Sequence, residues 1–459
     1  MINHLITSGA FSLLEIGLLR YSHSLPPTNL LRQFLPLVAA NYLLIQLFYI
    51  LIWPFFFSPL RNLPGPKQGG YLLLGQILSQ MKALPSELEI RWMKEYPDAP
   101  FIRYLSLLNR EVLMVNNAHA QKAVLQTKCY SFVKPPFWER IIGEIAGKGI
   151  LFTEGREHRK QRRLLIGLAA LGYELNSLST SSELAMYYAK IFEFVTPLQV
   201  AISFVNQFVP IRSVLPFEAN RSYVDANAQV RRILREHIRH RRDEYHQGKI
   251  KGEKASRDLL TLMIEESQDA WSEEEMLGYV GNCSLAHVLA NGQQSGHETT
   301  AGALTWALYV LTLEPGIQKR VREEVQTKIT SLLPTQSEIE NLPYMNNFLS
   351  EVLRFYPPAP AAPQFNPLIW GPTADEFNPD RWDSLPSPAR DPHVSLAFSS
   401  GPRVCIGKQF ALLEMKVIMV ELIRNFEFEN TGPVEPQKSG PSLRPINGMR
   451  LNVSAMKRS

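Results

Sequence analysis

Residues 398–407 read Phe398-Ser399-Ser400-Gly401-Pro402-Arg403-Val404-Cys405-Ile406-Gly407: one cysteine between two glycines, two residues after an arginine and directly before an amphipathic stretch. A cysteine at a helix start meets free backbone N–H groups and the positive dipole end, an environment that favours a thiolate and hence a metal ligand. Gly401 and Gly407 remove side chains where a flat cofactor would approach the backbone, and Arg403 would meet an acidic group on it. A large anionic porphyrin fits these demands. The bland reading of one free cysteine is a small buried apolar residue, and taken alone the residue leaves both readings open. Cys129 and Cys283 have no metal-ligand neighbour at useful spacing and read as packing residues.

Other residues could do chemistry. Glu351 and Arg354 set a carboxylate and a guanidinium three apart on one helix face that ends at Pro357-Pro358; alone, such a pair is solvent decoration. In Ser295-Gly296-His297-Glu298-Thr299-Thr300 an acid stands beside a hydroxyl, and such a pair can relay protons from water. A helix cap by Thr299 and a solvent-facing Glu298 are the plain alternatives. A zinc-protease reading of His297-Glu298 fails, because its second histidine would fall at Ala301. His158 and Arg162, one helical turn apart in a basic run, would suit a carboxylate or form a solvated face.

Together these segments resemble the cytochrome P450 family, whose haem loop has Phe, Gly, Arg, Cys and Gly at the spacing of Phe398, Gly401, Arg403, Cys405 and Gly407. The resemblance implies a mainly α fold, a helical haem-binding domain with small β-sheets, and haem b (iron protoporphyrin IX) ligated by Cys405. It implies that Glu351 and Arg354 join Arg381, from Phe377-Asn378-Pro379-Asp380-Arg381-Trp382, in a buried ion knot under the haem loop. Glu298 would deliver protons and Thr299 would hydrogen-bond the bound oxygen. His158, where many members have Trp, and Arg162 would hold a haem propionate. The implied activity is a monooxygenase that accepts electrons from an NADPH-dependent flavoprotein reductase and inserts one atom of dioxygen into an apolar organic substrate.

Two rivals follow from the same residues. A thiolate-haem isomerase or peroxide-using relative would have no need of the Glu298–Thr299 pair. A degenerate, membrane-tethered paralogue with impaired haem binding and no catalysis draws on apparent gaps. Against the family pattern, two helices are missing between Arg163 and Tyr173-Glu174-Leu175-Asn176, and small strands between Pro363 and Trp370-Gly371-Pro372. Asn291-Gly292-Gln293-Gln294 also interrupts the apolar approach to Gly296.

The elements that must position these residues are mostly helical. Helical patterns cover Ser86 to Tyr96, Tyr223 to Gln247, Ser256 to Glu266, the central segment through Leu313, Ile317 to Leu332, and the stretch after Cys405, where Phe410, Leu413, Val417 and Val420 mark the expected buried stripe. Phe101 to Leu107 and Glu111 to Val115 form a plausible hairpin. Residues 1–34 are an N-terminal segment with membrane-associated character around Phe11 to Leu19, where Glu15 argues against a full crossing. Residues 35–57 lack charge and are long enough to span a bilayer once. Residues 58–68, with Pro59, Pro64 and Pro66, resemble the family's hinge, and 69–459 form the expected catalytic domain. The resemblance implies a single-pass protein of the endoplasmic reticulum, in contact with membrane lipid, its catalytic domain facing the cytosol. A net charge of +5 without a basic stripe interleaved with aromatics argues against nucleic acid. Three sparse cysteines offer no disulfide framework.

Overall fold

The computed structural model describes residues 2–21, 30–66, 70–83, 86–134, 153–156, 158–159, 211–247, 297–358, 362–435 and 448–456, with isolated positions between them. The chain forms two compact units, one of residues 1–121 with 362–374, the other of 122–361 with 375–459.

The first unit holds two long helices, α1 (Ile2–Tyr21) and α2 (Leu30–Leu51), then α3 (Glu87–Glu95) and an antiparallel hairpin of β1 (Phe101–Leu105) and β2 (Glu111–Val115). The expected hairpin is present, in the register Phe101↔Val115 to Leu105↔Glu111. Leu88 and Trp92 of α3 pack on Ile102, and the Trp92 ring lies 4.9 Å from Tyr104. The turn of the hairpin is held by the buried Asn109, whose Oδ1 accepts from Leu73 N and whose Nδ2 donates to the Ile50 carbonyl at the end of α2. Arg103 Nε donates to Glu111 at 2.7 Å, and Nη2 donates to the Pro54 carbonyl. Gly65, in the proline-rich link, sits so close to this strand that a Cβ would lie 1.8 Å from the Arg103 carbonyl oxygen. Residues 362–371, where strands are expected to be missing, form short helical turns at Ala362–Phe365 and Pro367–Trp370.

The second unit is helical: α4 (Glu218–His246), α5 (His297–Leu313), α6 (Pro315–Lys328), α7 (Pro343–Phe355) and α8 (Lys408–Asn425), with a two-stranded sheet of β3 (Phe426–Asn430) and β4 (Leu451–Ala455). Proline at the first turn starts both α6 and α7, where its missing N–H costs nothing. The Glu324 carboxylate of α6 accepts from Tyr344 N and Met345 N, completing the open end of α7. The core joins Trp306 and Leu311 of α5, Val321 of α6, Phe348 and Val352 of α7, and Met419 of α8. Gln318 is buried among them without penalty: its Nε2 donates to the Leu311 and Phe428 carbonyls and its Oε1 accepts from Phe428 N, all at 3.0 Å.

The stripe expected on α8 holds at Val420, which is buried, and at Leu413, which packs on the core, and fails at its other two positions. Met415, Met419, Val420 and Ile423 are buried, whereas Phe410 is 64% exposed and Val417 is also exposed. The helix carries apolar residues on several faces, so periodicity alone cannot select the one that packs.

Tyr356, just after α7, stacks on Trp306 at 4.7 Å with planes 4° apart. Burial, with a smaller contribution from Tyr309, pushes its phenol up to about 12. Unfolded tyrosine ionises near pH 10, so above that pH the unfolded state gains stability that the folded one does not. Stability is therefore unaffected below about pH 10 and falls as pH rises from there towards 12. Tyr356→Phe is expected to flatten that fall, by at most about 1.4 kcal/mol per pH unit, in urea titrations between about pH 9 and 11.5.

Candidate active site

The loop before α8 is closed on itself. Ser399 N donates to Leu396 O at 2.9 Å, Val404 N to Gly401 O at 3.1 Å, and Cys405 N returns to Phe398 O at 2.8 Å. The Cys405 N–H is therefore spent on fixing the loop, and α8 itself opens three residues later at Lys408. Gly401 has φ +63°, and a Cβ there would lie 2.1 Å from the Leu125 carbonyl oxygen, so this position requires glycine for both its conformation and its contact. A Cβ on Gly407 would meet no heavy atom within 4 Å. Phe398 packs against the helical core while Cys405 is exposed. The loop thus anchors one end in the core and holds a thiol outward beside an uncrowded glycine.

Arg403 points to a second cluster. Its Nη1 donates to Thr153 O at 3.3 Å and its Nη2 to the Glu154 carboxylate. The guanidinium lies 5.7 Å from the centre of the Tyr130 ring, and that of Arg159 lies 4.7 Å from it. The Tyr130 hydroxyl is 3.2 Å from Nδ1 of His158, which is 2% exposed. Lys134 N donates to Glu154 Oε1. Burial, and then the charge of Arg403, hold the Lys134 ammonium below the usual lysine range, against the opposing pull of Glu154. His158 and Arg403, 245 residues apart in the chain, are thereby brought together around Tyr130. Arg162 lies outside the described residues. The sequence reading missed Tyr130 and Glu154, since an isolated tyrosine and glutamate carry no spacing signal.

The expected ion knot is assembled. Arg354 donates Nε to Glu351 Oε2 at 2.8 Å and Nη2 to Oε1 at 2.7 Å, while Arg381 Nε reaches Oε1 at 3.4 Å. Both guanidinium groups also donate to the Glu376 carbonyl. Two further donors, unforeseen from sequence, complete the carboxylate: Asn378 N at 2.9 Å and the Trp382 indole N–H at 3.0 Å. The side chains of Glu351 and Arg354 are fully buried and that of Arg381 is 5% exposed.

Glu298 and Thr299 stand in the first turn of α5, next to the buried Thr300. Thr299 is half-buried, and the Glu298 side chain lies outside the described residues. So do Asn291 to Gln294 and the segment from Arg163 to Asn176.

A closed loop presenting a single soft sulfur ligand, next to a cationic cluster suited to carboxylates, is the donor set for an anionic macrocycle whose iron takes a thiolate. The family model for cytochrome P450 matches residues 168–365 and 362–453. The chain belongs to the cytochrome P450 family. The two matched stretches of this P450 overlap at 362–365, within the short helical turn Ala362–Phe365. Among curated proteins it is similar to cytochrome P450 monooxygenase 205 of Postia placenta, at 27% identity over 85% of this chain and 90% of the relative. It is 27% identical to the monooxygenase sphH of Aspergillus fumigatus, over 90% of this chain and 91% of the relative. With FUM15 of Gibberella moniliformis the identity is 26%, over 88% of this chain and 89% of the relative. The P450 is accordingly an oxidoreductase of the haem-thiolate monooxygenase type, with haem b as its cofactor.

Proposed function

We propose that this P450 is a membrane-anchored monooxygenase that receives electrons from an NADPH-dependent flavoprotein reductase and inserts one atom of dioxygen into an apolar organic substrate. The carrying observation is the Cys405 loop, fixed by the Cys405 N–H···O=C Phe398 bond and by Gly401 against Leu125. When bound, haem supplies the iron at which dioxygen is reduced, and thiolate ligation favours O–O cleavage. The chain's own work is positioning and proton handling. Cys405 would ligate the iron, the loop fixes the direction of its backbone, and Arg403, His158 and Arg162 would receive the carboxylates of the cofactor. With haem bound, Glu298 would deliver a proton drawn from water and Thr299 would hydrogen-bond the oxygen that receives it. The knot of Glu351, Arg354 and Arg381 keeps α7 and the segment through Trp382 in one arrangement.

Membrane attachment rests on residues 32–56, a helical run long and apolar enough to cross a bilayer. At its end Leu72, Leu74, Leu107 and Leu108 are exposed on loops bonded to α2 through Asn109, a surface suited to lipid. We place the anchor in the endoplasmic reticulum, with the catalytic residues on the cytosolic side and residues 58–68 as the hinge.

The test is the reduced, carbon-monoxide-bound spectrum of the full-length chain in membranes, followed by NADPH oxidation with a flavoprotein reductase. A thiolate-type Soret band and substrate-dependent NADPH consumption are expected. Absence of the band overturns the haem-thiolate reading; a band without electron uptake overturns the reductase.

A further inference from the structure

The two N-terminal helices have inverted polarity. Beside the buried Ile16, the polar side chains of the pair turn inward: Ser8 and Ser12 are fully buried, Asn41 Nδ2 donates to Ser12 Oγ at 3.0 Å and to Glu15 Oε2 at 2.8 Å, and Gln46 Nε2 lies 3.2 Å from His4 Nδ1. Near the same end the His4 ring stacks on Tyr49 at 4.8 Å. Pairing of His4 with Gln46 and of Ser12 with Asn41 makes the helices antiparallel. The outward faces are apolar, with Ile6, Phe11, Leu14, Leu43 and Leu44 all more than half exposed. Water selects the opposite arrangement, with apolar groups inside. Hydrocarbon selects this one, because helix association there relies on small residues and interhelical hydrogen bonds while lipid solvates the leucines.

We propose that α1 crosses the bilayer beside α2, so that the pair forms a two-span hairpin with the amino terminus and the chain beyond α2 on the same side of the membrane. This rests on the reading of α2 as an anchor and adds a second crossing to it. The helices are 20 and 22 residues long, about 30 and 33 Å, against a hydrocarbon core of about 30 Å; the apolar stretch within α1, Ile6–Leu19, is shorter, about 21 Å, so its polar ends would sit in the headgroup region. Glu15, the residue that argues in the sequence against a crossing, has a partner. Asn41 satisfies it from the other helix, as an ionisable group at membrane depth requires. The serine hydroxyls also spare the lipid, since Ser8 Oγ donates to His4 O and Ser12 Oγ to Ser8 O, each at 2.7 Å. In the sequence Arg20 and Arg32 flank the link between the helices and Arg61 follows the second one, so the pairing of the helices, rather than charge, carries the proposal.

The test uses the full-length chain in microsomes, with an epitope tag at each terminus and, separately, a spacer-flanked glycosylation acceptor inserted between Pro26 and Pro27. The hairpin predicts that protease removes both tags from intact vesicles, that the inserted acceptor is glycosylated, and that the chain resists carbonate extraction. A protected N-terminal tag with a digested C-terminal one means that α2 crosses alone, which overturns the hairpin and leaves the anchor. Carbonate extraction with an unmodified acceptor overturns both, and a stable dimer in that extract would assign the apolar faces to a second copy. An unmodified acceptor in carbonate-resistant chains also overturns the hairpin. Asn41→Leu should raise the fraction of protected N-terminal tags roughly five-fold by stranding Glu15, and adding Glu15→Leu should restore the parent pattern. No rescue by the second change overturns the Asn41–Glu15 contact as the basis of the pairing.

Discussion

Replacing Cys405 by serine is expected to abolish the thiolate-type Soret band of the reduced, carbon-monoxide-bound protein and to lower substrate turnover by more than about 100-fold, the upper range for loss of a mere outer-shell partner. Serine keeps the backbone N–H that closes the loop on Phe398 and differs at an exposed position, so the polypeptide should lose no more than about 0.5 kcal/mol of stability. Circular dichroism and urea midpoints of parent and variant, taken beside the spectra, separate loss of a ligand from loss of a fold. A variant that kept both band and turnover would remove Cys405 from the chemistry.

The second large effect is expected at Glu351. Glu351→Gln leaves the guanidinium groups of Arg354 and Arg381 buried without a counter-charge, at a cost of about 3–5 kcal/mol, the range for breaking a buried ion pair from one side. In a unit of this size that corresponds to a fall in Tm on the order of 10 °C. The Arg320–Asp380 pair is the internal control. Its contact is equally short, 2.7 Å, but its side chains are 51% and 48% exposed. Hydrogen bonding from Arg320 holds the Asp380 carboxyl below the usual range, yet solvent screens such a pair, and Asp380→Asn is expected to cost under about 1 kcal/mol. Trp382→Phe falls between them, because it removes one neutral donor while both arginines stay on the carboxylate; about 1–2 kcal/mol is expected. Equal losses at Glu351 and Asp380 in thermal melts would show that burial does not set the strength of the knot.

These residues also show how far local pattern reaches. Glu351 and Arg354 are three apart on one helix, so their shared face follows from helical geometry. The hairpin of residues 101–115 is likewise legible, since both strands and their turn lie within one short stretch. On α8 the pattern reaches its limit: apolar residues on several faces leave the packed stripe to be chosen by the helices opposite, and Met415, Met419, Val420 and Ile423 are the outcome.

By itself the sequence determined the chemistry, because a thiol flanked by Gly401, Arg403 and Gly407 needs only neighbours within a few residues to be recognised. The tertiary structure alone decided which distant groups meet: Leu125 against Gly401, Tyr130 and Glu154 beside Arg403, Trp382 on Glu351, and Asn41 on Glu15. Such contacts depend on how helices and loops pack, and a single residue far along the chain carries no periodicity that would announce its partner.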